Sequence, residues 1–386
     1  MVGVNFNPKG GFPVSLRRLL LTASFIIISL TLTGCWDVTE VNRRANVNAM
    51  FLDIGENEDV KMGCSFNIPG SMIPPYVGTE QLFAKRNFTL SAQGIGLLDA
   101  WKNLQSHAFR DIFFGQLRAV IISEQFARED IHNLLDFVGR KVIIPGETFI
   151  LVTKDDPEQL IDIKLQNNLL PGEYIGQFFQ SPAKVPLAPP VQVWEVFSTL
   201  ANQSSDIFMP MIRVSQEQYQ IAGTALFSGS KMVGELDIDE TLIFSLMDGV
   251  QSGYLTVPLE EDRLIAFQEI RSKTGFTPNF TEDGQLHFNI EMKMNGLLRE
   301  TQPRVLQVTL EDKEQFEAWT ESHIRQEATK LLSKLQTLNS DPVNFGQAVR
   351  IKHPKYWETI QWHDVFPKAM FTVNVEFNII DTGLLR

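Results

Sequence analysis

The chain has 386 residues, 34 lysines and arginines against 46 aspartates and glutamates, and two cysteines. With 44% hydrophobic and 21% charged residues it lies in the globular range, and its length suits two to three domains of roughly 150 residues. The first 34 residues hold Lys9, Arg17 and Arg18 and no acid, so of the total of −12 the remainder carries −15; such a body repels phosphate backbones, and two cysteines exclude a disulfide scaffold.

Arg17 and Arg18 precede an uncharged run from Leu19 to Leu32. At about 1.5 Å per residue that run reaches roughly 21 Å, short of a bilayer core of about 30 Å, which fits a cleaved signal peptide better than a spanning helix. Leu32-Thr33-Gly34-Cys35 follows and resembles a bacterial lipobox, with small residues giving the thiol access to the acylating enzyme. The alternative is an ordinary secretory signal with a chance cysteine; the coincidence of charge, apolar run, small residues and Cys35 favours the lipobox. A diacylglyceryl group on Cys35 supplies the two chains that stable anchoring needs, each buried CH₂ contributing about 0.8 kcal/mol. Cys64 is then a lone cysteine, expected as a packed, inert thiol in a strand.

Beyond a tether over residues 36–44, strands are expected at Ala45–Ile54, Val60–Ile68 and Gln81–Leu90. Gly96–Phe109 has a helical apolar stripe, Leu117–Ile122 is a buried-type strand, and Ser123 caps a helix from about Glu124 to Val138. Thr148–Thr153 is a strand, and Asp156-Pro157 starts a helix. Four prolines within residues 181–190 predict a stiff linker or domain crossing before a helix at Val191–Leu200.

Tyr219–Phe227 and Lys231–Leu236 form a predicted hairpin, and Asp239 opens a helix to about Asp248. Strands are expected at Ser252–Pro258, Arg263–Ser272 and Gln285–Leu298, then a long helix at Glu311–Leu338 and a closing strand at Phe371–Ile380. Strands in runs separated by long helices predict an α+β fold with mixed and antiparallel sheets and packed helices, not a regular βαβ series. The expected division is a signal peptide at 1–34, N-terminal α+β domains at 35–200 and a C-terminal α+β domain at 201–386.

No constellation of catalytic or metal-binding residues stands out. His107, His132, His287, His323, His353 and His363 include no helical i, i+4 pair and no HExxH; His353 and His363, ten apart, are a weak candidate pair. Gly94-Ile95-Gly96 lacks the third glycine of a dinucleotide fingerprint and reads as a turn into a helix. The acids Glu260-Glu261-Asp262, and Asp237 with Asp239, read as a solvated loop and a helix cap. The stripe of the long helix is expected to pack on its own sheet. Tyr356, Trp357, Trp362 and Phe366 form either a recognition patch or a hydrophobic corner.

Several segments together resemble the Ger(x)C spore-germination lipoproteins. They are Gly34-Cys35-Trp36-Asp37 with Glu40-Val41-Asn42-Arg43-Arg44-Ala45, then Val120-Ile121-Ile122-Ser123-Glu124, then Gly223-Thr224-Ala225-Leu226-Phe227 with Lys231–Leu236. Asp341, Phe345-Gly346, Arg350, His353-Pro354, Trp357 and Trp362 complete the set. The segment at 237–249 is more acidic than the family pattern, and His107 does not align with the family's Gly-His, so no role passes to it. The resemblance implies a non-enzymatic C subunit of a germinant receptor, built of three mixed α/β domains and without a cofactor. It implies lipid anchoring at the outer face of the spore inner membrane and assembly with membrane subunits A and B. The alternative is a solute-binding lipoprotein delivering a nutrient to a transporter, for which a two-lobed, parallel-sheet fold is expected.

Overall fold

A computed structural model describes residues 18–19, 22–24, 44–67, 87–140, 144–163, 165, 169–181, 187–249, 253–259, 263–302 and 308–381. The chain divides into two units, Met1–Arg44 and Ala45–Arg386. In the first, Arg18–Leu19 and Thr22–Ser24 are helical, with the Thr22 hydroxyl donating to the Arg18 carbonyl. The lipobox and the 36–43 tether lie outside the described residues.

The second unit contains two sheets. The first has the order β3-β2-β1-β5-β6-β7-β8-β9, with β4 (Asp111–Phe113) also paired to β1. Its strands are β1 (Arg44–Ile54), β2 (Val60–Asn67), β3 (Asn87–Gly94), β5 (Ala119–Ser123), β6 (Phe149–Thr153), β7 (Phe208–Ser215), β8 (Gln218–Ser228) and β9 (Lys231–Leu236). The centre, β1-β5-β6-β7, is parallel; both wings are antiparallel. Every residue of β5 is buried, because helices cover both faces. Val120 and Ile122 face a core shared with α1 (Leu97–His107), α2 (Glu124–Glu129), α3 (His132–Arg140) and α6 (Val193–Asn202). Ala119 and Ile121 face the opposite core, with Leu160 and Ile161 of α4 (Pro157–Asp162) and Ile175 and Phe179 of α5 (Pro171–Phe179).

The second sheet, β10-β11-β12-β13, comprises Tyr254–Pro258, Leu264–Phe280, Leu286–Gln302 and Met370–Asp381; β12 and β13 are parallel, the other pairs antiparallel. Its buried face packs on α7 (Ile238–Met247), the 29-residue α8 (Leu310–Leu338), α9 (Phe345–Lys352) and α11 (Trp362–Val365), with α10 (Pro354–Trp357) alongside. Phe316, Ile324, Ala328, Leu331, Leu332 and Leu335 place the α8 stripe on this sheet, as expected. Glu321 accepts from Phe377 N–H at 3.0 Å and Glu317 from Ile379 N–H at 2.7 Å, so the helix covers the outer edge of β13. Among the described residues no helix is long and apolar enough to cross a membrane.

Mixed sheets, packed helices and an α+β architecture agree with the sequence. Four particulars differ. The third strand, described from Asn87, runs on to Gly94, past its expected end at Leu90; residues 81–86 lie outside the described residues. The helix expected from Glu124 to Val138 breaks at Asp130, whose carboxylate accepts from His132 N–H, while Ile131 N–H donates to the Ser230 carbonyl. The end of the proline-rich segment, from residue 187 on, returns to the first sheet, residues 182–186 lying outside the described residues: Ala188 is buried, the Val191 carbonyl accepts from Ile150 N–H, and Gln192 bridges to Phe149. Beyond it β7–β9, which follow the expected division at residue 200, continue the first sheet. Finally, β11 runs on through Gly275 and Pro278 to Phe280; β10 opposes only its first residues, so the missing N–H of Pro278 breaks no ladder with β10.

Candidate functional site

The two sheets meet at the polar cluster of Asp206, Asp341 and His363. Asp206 sits two residues before β7, and Asp341 lies in the turn between α8 and α9. Both side chains are buried. The backbones interlock first: Asp206 N–H donates to the Asp341 carbonyl at 2.8 Å, and Asp341 N–H returns a bond to Asp206 Oδ2 at 2.8 Å. Asp206 Oδ1 accepts from Gly229 N–H, in the β8–β9 turn, at 2.8 Å. Nε2 of His363, on α11, lies 3.0 and 3.1 Å from the two Asp206 oxygens.

The Asp341 carboxylate in turn holds the start of α9. Its Oδ1 accepts from Phe345 N–H at 3.0 Å, and its Oδ2 from Gly346 N–H at 2.8 Å and from the Trp362 indole at 3.0 Å. Gly346 is required by close approach: a Cβ there would stand 2.5 Å from the Ser204 carbonyl and 2.8 Å from the Trp362 ring. Nearby, Ser340 donates to the Phe227 carbonyl at 2.6 Å and Ser204 to Gln347 Oε1 at 2.8 Å. Both of these hydroxyls are thus committed away from the imidazole. Burial pushes the Asp341 carboxyl up to about 7, against the pull of its N–H donors. The hydrogen bond that the imidazole of His363 donates to Asp206 raises it above its ordinary value, against partial burial.

Under the polar cluster lies an aromatic one. Phe345 contacts Phe276, Phe288, Phe366 and Phe371, with ring centroids 4.9–6.2 Å apart, and Trp362 packs on Phe366 and Trp357. Trp362 and Phe366 are buried and Tyr356 and Trp357 half-buried, which makes this group a hydrophobic corner and not a free recognition patch. Asp341, Phe345-Gly346 and Trp362, scattered over 22 positions of the family-like closing segment, converge on this one place. Asp206, 135 positions earlier, gave no signal: it stands between a helix and a strand among serines.

The other candidates have structural partners. Cys35 lies outside the described residues; Cys64 is fully buried, and burial pushes its thiol far up. His353 faces the Pro278 carbonyl at 3.2 Å while His363 faces Asp206, so the two are not paired, and among the described residues no group of three His, Cys, Asp or Glu could hold a metal. Asp237 caps α7 reciprocally with Glu240, and residues 260–262 lie outside the described residues. At Gly94-Ile95-Gly96 the strand turns into α1, with the Gly94 position pressed on Ala100 N. Ile95 and Leu98, 88% and 52% exposed, rim an apolar groove of about 910 Å³ against Phe137. A second groove, of about 900 Å³, is lined by acids, but Asp155 accepts from Val214 N–H, Asp156 caps α4, and Glu158 pairs with Lys61 at 2.6 Å.

Comparison with known proteins gives one consistent answer. Residues 37–214 match the family described as the spore germination protein N-terminal domain, and residues 222–383 the spore germination B3/GerAC-like C-terminal family. Spore germination protein B3 of Bacillus subtilis (strain 168) is 22% identical, covering 92% of this chain and 95% of the relative. Spore germination protein KC of the same organism is 20% identical, covering 95% and 97%. The crystal structure of the GerBC protein shares the fold, with a TM-score of 0.55 at 19% identity, over 86% of this chain and 96% of that one. The two family matches together span nearly the whole body, and the chain belongs to the GerAC-like family of spore germination proteins.

Proposed function

We propose that this protein is the lipid-anchored C subunit of a nutrient germinant receptor, held at the outer face of the spore inner membrane through Cys35. It acts by protein–protein assembly with membrane subunits A and B and without chemistry of its own. The observation that carries this reading is a juxtaposition in the sequence. The lipobox-like Leu32-Thr33-Gly34-Cys35 ends two residues before the family match begins at residue 37. A two-chain anchor on Cys35 confines the body to the plane of the bilayer and raises its effective concentration towards other membrane-held subunits. The net −15 of the body keeps it from lying flat on anionic lipid.

Cys35→Ala tests the anchor. The variant is expected to accumulate as an uncleaved precursor, to leave the membrane fraction of spores, and to lose nutrient-triggered germination while sporulation proceeds. Wild-type membrane partitioning of that variant, or a native N-terminus found unmodified by mass spectrometry, would refute lipid anchoring. Normal nutrient germination of a deletion strain lacking paralogues would refute the receptor role.

A further inference from the structure

We propose that Asp206, Asp341 and His363 form a proton-operated latch between the two sheets, closed in mild acid and loosened above neutral pH. The cluster is built where the two halves of the fold meet. Asp206 and Gly229 belong to the first sheet's end, Asp341 to the α8–α9 turn and His363 to α11, both packed on the second sheet. The charge balance of this place is unusual. Two buried carboxylates are joined by a backbone bond from Asp206 N–H to the Asp341 carbonyl and a return bond from Asp341 N–H to Asp206 Oδ2, and the group that bridges to Asp206 is an imidazole, not a lysine or arginine. An imidazole holds or releases its proton near neutral pH, whereas a lysine or arginine would stay charged. With both acids ionised and His363 neutral the cluster carries two negative charges; a proton on His363 leaves one, and a second proton, on Asp341, leaves none.

The groups facing His363 are Asp206 from the segment before β7, Asp341 from the α8–α9 turn and Asp364 beside it on α11, all acidic. The titratable groups facing Asp341 are Asp206 and, through the same pairing, His363. Both shifts have the same sign for the latch. A raised His363 contributes stability that is fully present below its ordinary value of 6.5 and is lost as the pH rises through its folded value. A raised Asp341 keeps a proton that the unfolded chain has already released, so its contribution is also greatest at the acidic end and declines as the pH rises towards about 7. His363 is the more exposed of the two, at 43%, and is the entry point for the proton. Loss of its charge removes the favourable partner from a carboxylate whose side chain is 1% exposed, and the strain falls on the bonds that Asp206 accepts from Gly229 and Asp341 N–H.

Amide hydrogen exchange on the full chain in detergent, at pH 6 and pH 8 and corrected for the intrinsic pH dependence of exchange, reads the latch directly. Protection of the Gly229 and Asp341 amides is expected to fall at least about tenfold between the two pH values, as release of the linked protons of His363 and Asp341 allows, while the Ile121 and Ile290 amides hold theirs. In His363→Gln, which keeps a donor towards Asp206 but has no imidazole proton to lose, only Asp341 still titrates, and the fall is expected to be smaller than in the wild-type chain by about threefold or more. A flat profile in the wild-type chain overturns the latch by itself, whether or not the variant folds. An equal fall in His363→Gln, or a parallel loss at Ile121 and Ile290, overturns it as well.

Discussion

Asp206→Ala tests how firmly one carboxylate ties the sheets together. The side chain accepts three bonds: Gly229 N–H and Asp341 N–H, each at 2.8 Å, and the His363 imidazole at 3.0 Å. Truncation leaves the two backbone donors facing a methyl group, and a buried donor stripped of its acceptor costs about 1–3 kcal/mol. The imidazole, 43% exposed, turns to water at little cost. Relief of Asp341 from a like-charged neighbour offsets part of the loss, so the net is roughly 2–5 kcal/mol. With an unfolding entropy of about 2.1 cal/mol/K per residue over a body of some 340 residues, each kcal/mol shifts Tm by about 1.4 °C. The expected fall is therefore about 3–7 °C in differential scanning calorimetry at pH 7. Asp206→Asn keeps one acceptor oxygen and should lose about half as much. A fall below about 1 °C for the alanine variant would show that water satisfies both donors and that the carboxylate does not hold the junction.

Two further outcomes follow from burial. Phe345→Ala empties the centre of four ring contacts and should cost about 3–5 kcal/mol, seen as a Tm loss of about 4–7 °C by circular dichroism; a loss under 2 °C would mean that the corner collapses around the cavity. Cys64, buried in β2, should react with a thiol reagent only as fast as the protein unfolds, and fast labelling of the folded chain would place it at the surface instead.

The secondary structure was legible wherever a local rule sufficed. The apolar run expected at Leu117–Ile122 and found as the strand Ala119–Ser123, the serine cap on α2, the Asp156-Pro157 start of α4 and the stripe of α8 each depend on neighbours within a turn or two. Legibility failed where a distant group intervened. The break at Asp130 is set by the Ser230 carbonyl, a hundred positions on. The extension of β11 past Pro278 depends on how short its neighbour β10 is. The parallel centre of the first sheet was hidden because strands buried on both faces show no alternation, and alternation is what distinguishes a half-buried strand in a sequence.

The sequence by itself determined the class of fold and the resemblance to spore germination proteins, because these are read from residue types at short, fixed spacings. Only the tertiary structure decided that residues 208–236 complete the first sheet, and that Asp206 meets Asp341 and His363 across 135 and 157 positions. The physical reason is that buried donors and charges must find partners wherever the fold supplies them, and the partners that satisfied these groups were brought near by packing of helices against two separate sheets, not by any pattern along the chain.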